Sequence, residues 1–299
     1  SSFIPTYYVS KLAQKKVKVV LTGDAGDEIF GGYNRYTKLN YVSKIQKLPK
    51  SFKKLISNSL SNLSEKNINR INDFVRILPF FKNEFYLNEK IKKLLDRIDP
   101  NSNFEDFLFS FLINNNKLNL FNNSENFSRD KILKIFNKQF SSKKLDQFSI
   151  EEKMMFVDTN NYLPNDILFK VDRASMANTL ETRAPFLDKD LYEFSLGLSI
   201  DQKIKQSKGK IILRDLLKRK LPSNLIERPK AGFSIPIGSW LRKPLLEWSE
   251  NLLSKKNVER SGLLNFENIN KVWNDHKKGI DNSSLIWSIL VFQQWLLNR

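Results

Sequence analysis

Three observations predict an α/β fold in which a parallel sheet, incomplete in this sequence, is followed by a largely helical region. Val17–Leu21 is a β-branched and apolar run, too short for a helix of its own and suited to a buried strand of a parallel sheet. The run stops at Thr22-Gly23-Asp24-Ala25-Gly26-Asp27-Glu28, where three carboxylates and two glycines gather at the strand's carboxyl end. Ligands bind at that end in open α/β sheets. From Phe30 onward apolar residues recur at the spacings of helices that pack through one face.

Taken in order, Pro5–Lys15 reads as a helix, with Pro5 admissible in its first turn and Tyr8, Val9 and Leu12 forming an apolar stripe. A helix that delivers a parallel strand implies an earlier strand, because crossovers join parallel neighbours. Val17–Leu21 is therefore expected at the edge of the sheet. Gly31-Gly32 allows a tight turn or a close backbone approach. Tyr33, Tyr36 and Leu39 then continue a helix, and helical patterns follow over 52–63, 68–81, 85–98, 104–113 and, more weakly, 132–140. Glu151–Leu163 should be helical, with Met154, Met155, Val157 and Leu163 as core contacts, and Pro164 restarts the chain.

Asp166–Leu180 reads as a helix of apolar and small residues that also carries Lys170, Asp172 and Arg173. Charges on such a helix are costly unless paired. Asp172, Arg173, Glu181, Arg183 and Asp188 are accordingly expected to form a partly buried ionic network beside the site. Asp190–Leu198 and Lys210–Leu221 are two more helices, the second started at Ser207 or Gly209 and closed by Pro222. Arg228–Pro236 combines two cations, a glycine and two prolines, a loop suited to delivering Lys230 to a ligand. Five tryptophans anchor the tail, Ser283–Leu296 should be a buried helix, and His276, in Asn274-Asp275-His276-Lys277-Lys278, should be exposed.

Composition narrows the function. The chain has 299 residues, 40% hydrophobic and 27% charged, which suits a globular core, and no apolar run approaches the roughly 20 residues of a membrane span. There is no signal-peptide pattern at Ser1-Ser2-Phe3-Ile4-Pro5, so a cytoplasmic location is expected. With no cysteine there is neither a disulfide nor a thiol nucleophile, and one histidine cannot build a multi-histidine zinc site. The net charge of +18 comes from dispersed lysines, which argues for a solvated surface against nucleic-acid binding.

The chemistry concentrates at residues 23–28. Carboxylates beside a glycine turn repel one another and any phosphate unless a cation sits between them, and Mg²⁺ carrying phosphate oxygens is the simplest such partner. A surface turn whose acids merely cap the next helix is the alternative. The stretch from Val17 to Tyr36, VKVVLTGDAGDEIFGGYNRY, resembles the signature of the synthetase domain of glutamine-dependent asparagine synthetases. Val171–Asp188 (VDRASMANTLETRAPFLD), Gly209–Arg214 (GKIILR) and Arg228–Trp240 (RPKAGFSIPIGSW) resemble further stretches of the same family, in the same order.

The resemblance implies an adenine-nucleotide alpha-hydrolase-like (ATP pyrophosphatase) fold, with ATP and Mg²⁺ as cofactors. It implies that aspartate, or a related carboxylate, becomes an amide through an acyl-adenylate, with ammonia supplied from glutamine. By position, Lys230 and Asp24 match catalytic residues, Gly23, Asp24, Asp27 and Lys230 the nucleotide site, and Asp27 the magnesium ligand. Asp24 stands where the best-known members have glutamate, so the acceptor can differ, as in amidotransferases linked to surface polysaccharides. The family's amino-terminal glutaminase and its Ser-Gly-Gly-x-Asp-Ser loop do not occur here, so this chain alone is expected not to make asparagine. A non-catalytic remnant of the fold stays open as an alternative. A homodimer is compatible with the family.

Overall fold

A computed structural model of the chain describes residues 2–37, 39, 120–122, 131, 147–206, 208–227 and 235–298. The helical patterns expected between 52 and 113 and at 132–140 lie outside the described residues, as does Lys230 with most of its loop.

Helix α1 (Phe3–Ala13) leads to strand β1 (Val19–Leu21), which runs into the single turn α2 (Gly26–Ile29). The chain returns through α3 (Ile150–Asn160), a π-helical turn (Leu163–Leu168) and α4 (Phe169–Met176) to strand β2 (Glu181–Arg183). β2 pairs in parallel with β1 in the register Val19–Glu181, Val20–Thr182 and Leu21–Arg183. One backbone bond extends the ladder at each end, from the Glu181 N–H to the Lys18 carbonyl at 3.0 Å and from the Thr22 N–H to the Arg183 carbonyl at 2.8 Å. Ser149 starts α3 with a reciprocal cap: its hydroxyl accepts from the Glu152 N–H while the Glu152 carboxylate accepts from the Ser149 N–H.

The α/β class with a short parallel sheet and dominant helices agrees with the expectation, but three details differ. The strand has three residues rather than five, and Val17, Val19 and Leu21 are 44%, 40% and 74% exposed. A parallel strand is buried only when helices cover both faces of its sheet; here the alternation leaves the Val19 and Leu21 face open. The expected stripe of α1 also faces outward, Tyr8, Val9 and Leu12 all being exposed, because α1 packs on α4 through its other side. Finally, residues 163–168 form a π turn where one helix was expected to end and the next to begin, with Pro164 in its first turn.

Beyond β2, a 3₁₀ turn (Pro185–Leu187) precedes α5 (Lys189–Gly197), and α6 (Ile200–Lys203) runs into the hairpin β3–β4 (Ile204–Lys205 and Lys208–Gly209). Helix α7 (Ile211–Lys218) starts from Lys210 rather than Ser207 or Gly209, and Pro222 separates it from α8 (Ser223–Ile226). The tail, α9 (Ile237–Arg242), α10 (Leu246–Leu252), α11 (Lys255–Glu259), α12 (Phe266–Lys277) and α13 (Ser283–Leu297), has its own core. There Leu241, Val258, Ile269, Ile286 and Leu290 are fully or almost fully buried and Trp240, Trp248 and Trp287 pack against them.

His276 is completely buried, contrary to its expected exposure. Its polar neighbours in sequence face away while its ring stacks on Trp273 and meets α9: Nε2 lies 3.3 Å from the Gly238 carbonyl, and Nδ1 accepts from the Asn282 N–H at 3.3 Å. Burial, and then the Arg242 charge, hold the imidazole below its ordinary value of 6.5. The unfolded chain therefore takes up a proton that the folded chain refuses. Stability from this residue is complete above pH about 6.5 and declines as the pH falls through the window beneath it. Urea midpoints measured from pH 7.5 to 5.5 should fall, and His276→Gln should flatten that slope.

Candidate functional site

The site is built where β1 ends. Ala25 adopts φ +70° and is 1% exposed, a left-handed conformation that costs a residue with a Cβ roughly 1–2 kcal/mol and fixes the path of the loop into α2. Gly26 lies against the ring of Phe186. Gly31 is also left-handed, at φ +70°, and Gly32 donates its N–H to the Asp27 carbonyl at 2.8 Å. A methyl group on Gly32 would overlap the Asp27 carboxylate and the Lys210 side chain, and one on Gly209 would overlap the Gly31 carbonyl oxygen. The diglycine turn and the end of the β3–β4 hairpin are thus in backbone contact, tied further by the Lys210 N–H to the Phe30 carbonyl at 3.1 Å.

That contact sets Lys210 Nζ 3.1 Å from Asp27 Oδ1, both side chains about one-third exposed. Lys210 is itself left-handed, at φ +58°. Behind it Arg214 donates to the Gly209 carbonyl at 2.9 Å and to the Ile226 carbonyl at 3.3 Å. Glu227 gathers Lys208 at 3.1 Å, Arg214 at 3.5 Å and Lys218 at 3.6 Å. The Lys208 hydrogen bond, followed by the charges of Lys208, Arg214 and Lys218, holds the Glu227 carboxyl below the usual carboxylate range. Lys210 thus faces Asp27, while Lys208, Arg214 and Lys218 gather on Glu227.

Beneath the loop is a second, buried layer. Glu28 is 1% exposed and accepts from the Tyr33 hydroxyl at 2.8 Å; burial pushes its carboxyl up. Asp158, on α3, is fully buried and accepts from Arg35 Nε at 2.9 Å and from the Tyr36 hydroxyl at 2.5 Å. The Arg35 guanidinium lies 4.6 Å from the Tyr33 ring centre and 4.9 Å from that of Tyr162, at cation–π range. This layer joins the signature loop to α3 and the π turn, which supplies a rigid floor for Asp27.

The residues expected at the site divide accordingly. Gly23 is exposed, with open space where a side chain would stand, Asp24 is half-buried beside it, and Asp27 faces Lys210. The expected ionic network is corrected. Glu181 and Arg183 pair with each other at 2.7 Å, Asp172 and Arg173 approach to 3.9 Å, all with exposed side chains, and Asp188 caps α5 through the Asp190 and Leu191 N–H groups. Water solvates these charges, so burial does not force them together. The buried pair is Arg35–Asp158, and the pair at the site is Asp27–Lys210. Lys210 and Arg214 stand in GKIILR, the only mark in the sequence that could have pointed to them.

Among the described residues no group of three or more His, Asp or Glu side chains comes together as a metal cage. The donor set fits Mg²⁺ in its other usual form, held by one or two carboxylates with the remaining positions taken by water and phosphate oxygens. Asp27, paired with Lys210, and the half-buried Asp24 are the carboxylates that would hold it, and nothing stands within 4 Å of where a Gly23 side chain would be.

The chain is similar to the glutamine-hydrolyzing asparagine synthetase 1 of Bacillus subtilis (strain 168), 29% identical over 98% of this chain and 42% of that protein. A putative glutamine-hydrolyzing asparagine synthetase of Mycobacterium bovis is 26% identical over 98% of the chain and 41% of its own length. A protein named amidase chry2 from Gibberella zeae is 24% identical over 84% of the chain and 37% of its own length. No solved structure matches significantly. The chain spans about two fifths of the length of these relatives. The family described as asparagine synthase matches residues 1–297, and the chain belongs to that family.

Proposed function

We propose that the chain carries part of the synthetase site of an ATP-dependent amide-forming ligase. In this reading a carboxylate oxygen of aspartate, or of a related acid, attacks the α-phosphorus of ATP and expels pyrophosphate. Ammonia drawn from glutamine then adds to the acyl carbon, and AMP leaves with the bonding electrons of the C–O bond. The observation that carries the reading is the Asp27–Lys210 pair, locked at the carboxyl end of β1 by contacts that only glycine permits.

Asp27 would hold Mg²⁺, whose chemistry is to neutralise phosphate oxygens as pyrophosphate departs. Lys210 keeps the Asp27 carboxylate oriented and adds positive charge beside the same oxygens. Asp24, one methylene shorter than glutamate, would orient the incoming amine or the substrate's own ammonium. Lys230 is assigned, through its family position, to the charge that develops at the reacting centre.

The test is aspartate-dependent exchange of pyrophosphate into ATP, with amide formation measured alongside, in the longest native form of the protein. Lys230→Ala should depress amide formation roughly 10²-fold or more, the scale of removing one preorganised donor. Asp27→Asn should raise the Mg²⁺ and ATP concentrations needed for half-maximal rate. Wild-type rates in both variants would exclude the assignment.

A further inference from the structure

We propose that Arg214 is a positioning residue: its guanidinium joins the hairpin that presents Lys210 to the residues that lead into Lys230, and holds the two segments as one unit. The inference rests on the amide-forming reading, which assigns both lysines to the reaction and gives Arg214 no part in it.

Arg214 stands one turn into α7, and its N–H donates to the Lys210 carbonyl at 2.9 Å. Its side chain reaches two segments that α7 separates. Nε donates to the Gly209 carbonyl at 2.9 Å, and Nη1 donates to the Ile226 carbonyl at 3.3 Å while lying 3.5 Å from Glu227 Oε2. Gly209 immediately precedes Lys210, and Glu227 immediately precedes Arg228-Pro229-Lys230.

Each of these bonds completes the hold on one peptide group. The Gly209 carbonyl and the Lys210 N–H belong to the same rigid plane. Arg214 takes the carbonyl end, and the Phe30 carbonyl takes the N–H end at 3.1 Å. Rotation of that plane would change the φ of Lys210, whose value of +58° is one that a side-chain-bearing residue keeps only when its surroundings impose it. The direction in which Lys210 leaves the backbone toward Asp27 is thereby fixed. The Ile226–Glu227 peptide is held in the same manner, its carbonyl by Arg214 and its N–H by the Ser223 carbonyl at 2.9 Å.

The geometry calls for arginine rather than for positive charge. A guanidinium is a planar fork whose donors point in set directions, so it serves two carbonyls at once, whereas a lysine ammonium is a point charge on a flexible stem. The charge itself adds little here, because the Arg214 and Glu227 side chains are 29% and 32% exposed and water screens their attraction. Arg214→Lys therefore keeps the charge and removes the span.

The test uses the longest native form of the protein and two readouts. The first, amide hydrogen exchange, does not depend on the reaction. Arg214→Lys should speed exchange at the Lys210 and Glu227 amides at least tenfold and leave α12 unchanged, which also shows that the variant is folded. The second is kcat for amide formation, which Arg214→Lys should lower at least tenfold. Because Arg214 acts in part through Lys210, the double variant with Lys210→Met should lose less than the product of the two single losses. Lys220→Met, which removes an exposed charge just beyond α7, should match wild type in both readouts. Wild-type exchange at the two amides, wild-type kcat in Arg214→Lys, or fully multiplicative losses in the double variant would each overturn the proposal. Wild-type turnover in Lys210→Met would instead remove the amide-forming reading of the site, and the exchange at the two amides would then decide alone whether Arg214 holds the segments together.

Discussion

Asp158→Ala is expected to lower the free energy of unfolding by about 3 kcal/mol or more, the scale found when one partner of a buried ion pair is removed. The substitution would leave the Arg35 guanidinium among three tyrosine rings without its counter-charge, and the Tyr36 hydroxyl without its acceptor. Asp158→Asn keeps the shape and one acceptor but not the charge, so it should lose less. Urea denaturation followed by far-UV circular dichroism measures both. A loss under 1 kcal/mol for Asp158→Ala would mean that the pair does not hold the signature loop to α3.

Gly209→Ala should have the largest effect on activity of any single methyl group added near the site. Its Cβ would overlap the Gly31 carbonyl oxygen, which is backbone and cannot swing aside. The hairpin must back away, taking Lys210 from Asp27. Displacement of about 1 Å at a reacting centre costs about 10²-fold in rate, so kcat/KM for amide formation should fall by that order. Gly197→Ala, where a methyl group would meet nothing within 4 Å, is the matched control and should remain near wild type. Equal activity of the two variants would separate the Lys210 position from catalysis.

The parts of the site that were legible in the sequence are local ones. Val19–Leu21 followed by Gly23, Asp24 and Asp27 displays a strand end, a turn and carboxylates within a few residues, and each property belongs to the residues themselves. Gly31-Gly32 advertises a close approach without saying of what. The approaching element, the hairpin ending at Gly209, is fixed by packing between distant segments, and so is the Lys210 contact. Arg35 and Asp158 look like ordinary surface charges until α3 and the residues after Gly32 are brought together.

β2 was not legible because Glu181-Thr182-Arg183 offers the sheet only backbone groups, while its charged side chains point to water. Those charges invited the network that does not form. His276 fails in the opposite direction: a polar neighbourhood along the chain surrounds a residue whose own ring faces Trp273 and Gly238.

The open face of β1 has a colloidal consequence. Val17, Val19 and Leu21, with Tyr8, Val9 and Leu12 of α1, put apolar surface in water on a molecule of net charge +18. The two properties act at different ranges. Like charge keeps copies apart over about 10 Å at 0.1 M salt but only about 3 Å at 1 M, whereas apolar attraction acts at contact and is not screened. High salt is therefore expected to weaken any adventitious hold on polyanions and, in the same step, to favour contact between copies of this chain through that apolar surface, which light scattering at 0.1 and 1 M salt would measure.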